Sequence, residues 1–89
     1  MDYEAAVTTL GLKIKSLRLA KGYSMERLAF VANLSKESVR RIELGQKDLR
    51  LSTICKLSEA LGVTLAALLT QAETRHFKKN LPSAFDEGL

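Results

Sequence analysis

The 89-residue chain has one cysteine, one histidine, one proline and no tryptophan. The lone Cys55 has no partner for an internal disulfide and no Cys or His at metal-ligand spacing, which excludes a disulfide scaffold and a zinc finger. It reads as a small hydrophobe on a helix. A single His76 cannot complete a convincing Cys-His or Ser-His-Asp set. There is no phosphate-cradling glycine loop, and the carboxylates do not cluster as metal or acid–base chemistry requires. No enzyme, metal, cofactor or small-molecule ligand is therefore expected. No apolar run approaches the ~18 residues needed to cross a bilayer, and the start lacks a charged-then-apolar signal segment. The expectation is a cytoplasmic protein without a membrane partner.

What is present is helical and basic. Residues of hydrophobic type make up 46% of the chain, enough for the modest core of one small domain, whose stability a partner would improve. The net charge of +4 is unevenly placed. Lys13 to Arg50 holds ten basic and four acidic residues, a local +6, and the remainder is −2. A charge run alone more often marks a solvated face than a nucleic-acid site.

Apolar spacing predicts five helices and no strands. Tyr3, Val7, Leu10, Ile14 and Leu17 form a first stripe, on a helix running from near Asp2 to Lys21 with Gly22 as its C-cap. A second helix spans about 25 to 32 and a third about 36 to 43, with Gly45 closing it. After the polar loop GQKDLR, Leu51, Ile54, Leu57 and Leu61 form the stripe of a fourth helix, ended by Gly62. Thr64 caps a fifth that carries Leu65, Leu68 and Leu69. Ser24 and Ser35, just before the second and third helices, stand as their N-caps. Ala29 falls where the helices cross, and Asn33 at the bend, where a positive φ is needed.

Several short motifs in order, LGLKIKSLRLAKGYSMERLA, NLSKESVRRIELGQ and ICKLSEALGVTLAALL, give the chain its family likeness over roughly residues 10 to 70. It resembles the lambda-repressor-like (Xre-type) helix-turn-helix family, an all-α, five-helix DNA-binding fold whose third helix enters the major groove. Within the family, the loop KDLRLSTICKL looks most like the small controller proteins of restriction–modification systems, with Leu49 where other members have Pro.

By family register, the resemblance makes Lys36, Glu37 and Arg41 the base-reading residues. Arg41 suits a guanine O6/N7 edge, Lys36 a guanine or phosphate, and Glu37 a cytosine amino group. An i,i+4 pair with Arg41, or a match with Arg40, is the intrahelical alternative for Glu37. Ser24, Arg27, Ser38, Gln46, Lys47 and Arg50 are candidate phosphate contacts. Arg40, expected off the reading face, joins them as a phosphate contact or is simply solvated. In relatives an Arg on the first helix pairs with a Glu ending the recognition helix, and Arg18 and Glu43 stand in register for that structural ion pair. Met25 departs from the pattern, since the family commonly places there a Gln that touches the DNA backbone.

The resemblance further implies a transcriptional regulator, a repressor, bound to a palindromic operator as a homodimer. Ala66 and Ala67 replace residues often charged in the family, which makes Leu65, Ala66 and Leu69 a candidate dimer seam. Residues 1–73 read as the DNA-binding domain. In the tail, 74–89, Phe77 and Leu81 either extend that seam, form a partner-binding segment or stay disordered, the first being preferred. The competing function is a protein-interaction module on the same fold, such as an antitoxin or accessory regulator.

Overall fold

The computed structural model describes residues 2–46 and 49–69. Among these there are four helices, α1 (Tyr3–Ala20), α2 (Met25–Ala32), α3 (Lys36–Glu43) and α4 (Leu51–Leu61), together with a helical segment α5 over 65–69. No strand occurs among the described residues, and no helix among them is long and apolar enough to cross a membrane.

Each helix begins and ends for a local chemical reason. An orphan N–H in the first turn needs an acceptor, and a short polar side chain just outside the helix supplies it. Asp2 accepts from the N–H groups of Glu4 and Ala5, Ser24 from Arg27, Ser35 from Ser38 and Thr64 from Ala67. Only α4 starts without such a bond, at Arg50. At the other end, Asn33 takes the left-handed conformation the α2–α3 bend requires (φ 58°, ψ 48°). Its N–H donates to the Ala29 carbonyl and that of Phe30, which seals the C-terminus of α2 and turns the chain into α3.

The core joins Leu10 and Ile14 of α1, Leu28, Ala29 and Ala32 of α2, Val39 and Ile42 of α3, Ile54, Leu57, Ala60 and Leu61 of α4, and Leu68 of α5. Ile14, Leu28, Ile42, Leu57 and Leu68 are fully buried, and burial of such a side chain is worth about 1.5–3 kcal/mol. Two stripes are shorter than their spacing predicts. Tyr3 is 57% exposed and Leu51 63% exposed, each in the first turn of its helix. Leu49, from the loop, packs on the core. Leu65 also packs on the core, so the face it was expected to offer to a second copy is partly occupied by its own chain.

The tightest helix contact is at Gly11. A Cβ built there would lie 2.3 Å from the Ile42 carbonyl oxygen and 3.1 Å from that of Glu43. Only a residue without a side chain lets α1 lie this closely against the C-terminal end of α3. Backbone atoms of a helix end cannot swing aside as a flexible side chain would, so Gly11→Ala should destabilise by about 1–3 kcal/mol, despite the roughly 1 kcal/mol helix-propensity advantage of Ala over Gly. Urea denaturation checks this: an unchanged or raised midpoint would show that α1 can move away at no cost.

Candidate nucleic-acid interface

The surface of interest is built on α3, and α3 is held from behind. Glu43 ends the helix, where the macrodipole disfavours a carboxylate, and it is buried. Arg18 makes this tolerable. From two turns beyond the Gly11 crossing and on the same face of α1, its Nε donates to Glu43 Oε2 at 2.7 Å and its Nη2 to Oε1 at 3.1 Å. Its Nη1 donates to the Tyr23 carbonyl at 2.8 Å. One guanidinium therefore fastens α1, the α1–α2 connection and the end of α3. Both side chains are almost wholly covered, at 8% and 2% exposure, and among the described residues no buried side-chain polar atom lacks a partner.

With Val39, Ile42 and Glu43 turned inward, Lys36, Glu37, Arg40 and Arg41 are left exposed on one strip. At ~3.6 residues per turn, Arg40 falls angularly between Lys36 and Glu37. It therefore shares their exposed strip. The ion pairs confirm the proximity. Glu37 takes both Arg40 nitrogens, Nε at 3.0 Å and Nη2 at 2.6 Å, and also Arg41 Nε at 2.9 Å. The intrahelical alternatives left open for Glu37 are thus both realised. These hydrogen bonds, Arg40 first and then Arg41, hold the Glu37 carboxyl well below the usual carboxylate range, at about 2, and raise Arg40 in return. Lys36 Nζ meets Glu26 Oε2, in the first turn of α2, at 3.1 Å, and that bond lowers Glu26. Glu26 was missed from sequence as part of the surface; its only signal was an acid in the first turn of the neighbouring helix.

The expected phosphate contacts are more dispersed. Ser24 and Arg27 lie exposed at the start of α2, with the Arg27 guanidinium carbon 6.0 Å from the ring centres of both Tyr23 and Phe30. Ser38 is half-buried, and its hydroxyl accepts from that of Ser35 at 2.9 Å, so it belongs to the cap of α3. Gln46 is exposed behind α3, its N–H donating to the Arg41 carbonyl, and Arg50 is exposed ahead of α4. Met25 is partly buried against the core, so the side chain turns inward. On α5, Ala66 and Leu69 are exposed. Lys47, Phe77 and Leu81 lie outside the described residues.

Two short helices set at a left-handed Asn, the second one basic, exposed and locked from behind, define the domain as a helix-turn-helix. A helix-turn-helix family model matches residues 14–68. The chain is 36% identical over 59 residues to the SPbeta prophage-derived uncharacterized HTH-type transcriptional regulator YonR of Bacillus subtilis, covering 66% of this chain and 55% of that protein. It is 40% identical over 60 residues to Control protein C.BamHI of Bacillus amyloliquefaciens, covering 66% and 74%. Among solved structures, the restriction-modification controller protein C.AhdI from Aeromonas hydrophila is 37% identical with a TM-score of 0.68, over 70% of this chain and 94% of that one. The chain belongs to the helix-turn-helix family of Xre type, whose members are DNA-binding transcription regulators and not enzymes. It spans just over half the length of the prophage regulator and most of the controller proteins.

Truncating one member of the buried pair tests the bracing. Arg18→Met leaves the Glu43 carboxylate covered and unpaired, with an expected loss of about 3–5 kcal/mol in urea denaturation. The double variant Arg18→Met/Glu43→Leu should recover most of it. A single-variant loss below about 1 kcal/mol would mean that the pair behaves as a solvated one.

Proposed function

We propose that the chain acts in the cytoplasm as a sequence-specific regulator of transcription, a repressor of the controller-protein kind, binding a palindromic double-stranded operator as a homodimer. The observation that carries this reading is the exposed Lys36, Glu37, Arg40 and Arg41 strip on a short helix fixed by the buried Arg18–Glu43 pair. The major groove, ~12 Å wide, admits one helix, and residues near its N-terminal end meet base edges. Lys36, Glu37 and Arg41 form the edge that enters the groove, with Arg40, Ser24, Arg27, Ser38, Gln46, Lys47 and Arg50 toward the phosphates on either side. Similarity to C.BamHI and C.AhdI supports the controller role.

One such helix covers little DNA, and two half-sites about one turn apart call for two-fold symmetry. The exposed Ala66 and Leu69, at the margin of a Leu65 already partly packed inward, are the seam we assign to a second copy. Phe77 from the 74–89 tail adds to it, beside a 1–73 binding domain.

Binding of duplexes selected from a random pool checks the division of roles. Arg41→Ala should relax one base preference, at a cost of roughly 1–3 kcal/mol. Lys47→Ala should weaken all sequences alike and reduce the salt slope by about 0.9. Equal behaviour of the two variants would overturn the assignment, and affinity indifferent to salt would favour a protein-interaction module. In sedimentation, Leu69→Glu should shift the protein toward monomer. A wild-type monomer at high concentration, with and without DNA, would remove the seam.

A further inference from the structure

We infer that Glu37 sets sequence specificity by positioning: its carboxylate aims Arg41 at a base and offsets the charge with which Arg40 draws phosphates. The inference rests on the DNA-binding reading above and asks how two adjacent arginines on one strip come to do different work.

A guanidinium has two bidentate edges, a side edge of Nε with one terminal nitrogen and an end edge of both terminal nitrogens. Glu37 occupies them unequally. Arg40 is held side-on, with Nε and Nη2 both bonded to the carboxylate at 3.0 and 2.6 Å. Arg41 is held by Nε alone at 2.9 Å, and its end edge carries no bond among the described residues. That end edge has the fork geometry that pairs with guanine O6 and N7. Arg41 can therefore read a base without releasing Glu37. Arg40 keeps an end edge too, but its side edge and its charge are committed to Glu37, so a phosphate gains less from it.

The charge balance works in the same direction. Phosphate attraction is blind to sequence and supplies nearly all of non-specific binding. A carboxylate that neutralises part of the strip lowers that attraction for every duplex, whereas the guanine contact is recovered only at the right site. Specificity is a difference of affinities, so trimming the common part widens it.

Duplexes selected from a random pool by the wild-type protein, E37A, E37Q, R41A and E37A/R41A test this, together with anisotropy titrations of the selected and a scrambled duplex over a salt series. For E37A we expect binding of the scrambled duplex to tighten by about 10-fold near 0.1 M salt, with a slope steeper by about 0.9 as Arg40 reaches a phosphate. Base preference should weaken at the same base pair that R41A relaxes, with no further loss there in the double variant. E37Q, which keeps the length and loses the charge, should follow E37A in slope. Glu37 is exposed, so thermal melting verifies that the variants fold. Preference lost at a different base pair from that of R41A would mean that Glu37 reads a base itself. An equal factor on both duplexes would leave only a uniform charge effect. Either result, with wild-type selectivity intact, overturns the positioning role alone. A wild-type protein with no sequence selectivity at all would overturn the DNA reading and this inference together.

Discussion

A recognition helix two turns long cannot hold itself in place, and the buried Arg18–Glu43 contact is what holds this one. Isolated helices of this length are marginal in water, and Glu43 at the C-terminus of α3 is unfavourable on dipole grounds. The desolvation cost of bringing both charges inside is several kcal/mol. The structure offsets it with three charge-assisted donations from one guanidinium, two to Glu43 and one to the Tyr23 carbonyl. Such a pair is a weak source of net stability but a strict constraint on geometry. Slide α3 by a turn and Glu43 is left buried without its partner, so one register is favoured over its neighbours.

Gly11 is the steric half of the same constraint. Where α1 meets the Ile42 and Glu43 carbonyls there is no room for a methyl group, so the backbones touch and Arg18 arrives at Glu43 with its fork aligned. The apolar contacts of Ile14, Val39 and Ile42 fill the space around this crossing. Packing sets the distance between the helices and the ion pair sets their phase. Either alone would leave the exposed strip free to rotate or slide, and a helix proposed to enter a groove tolerates neither.

Most of the fold was legible because its punctuation is local. Ser24, Asn33, Ser35, Gly62 and Thr64 each act within four residues of themselves, and each performs the cap or bend its chemistry suggests. Periodicity located the helices but overran at Tyr3 and Leu51, since it cannot say how far the opposing surface extends. Gly11 was invisible for a related reason: the absence of a side chain leaves no mark on a hydrophobic pattern, and what it accommodates comes from another helix. The strip on α3 was read residue by residue, yet its internal wiring was not. Helical spacing permits Glu37 to pair with Arg40 or Arg41; that it holds both, one through two nitrogens and the other through one, is a matter of rotamers. Lys36 and Glu26 meet only because α2 and α3 fold back at Asn33.

The result is an exposed strip restrained from two sides by different kinds of ion pair. Behind α3 the pair is dry, nearly inaccessible and suited to fixing one arrangement. In front, the Glu37 and Glu26 pairs are exposed, worth little to stability, and open to exchange with a ligand. That asymmetry suits recognition. Ordering a long side chain at an interface costs about 0.5–1.5 kcal/mol, and an arginine already tethered by one nitrogen has met part of that cost before any partner arrives. Because the tether is solvated, it can still be exchanged when a partner offers better bonds. Rigid backbone phase and replaceable side-chain restraint are separate requirements, and this chain meets them with separate carboxylates, Glu43 inside and Glu37 outside.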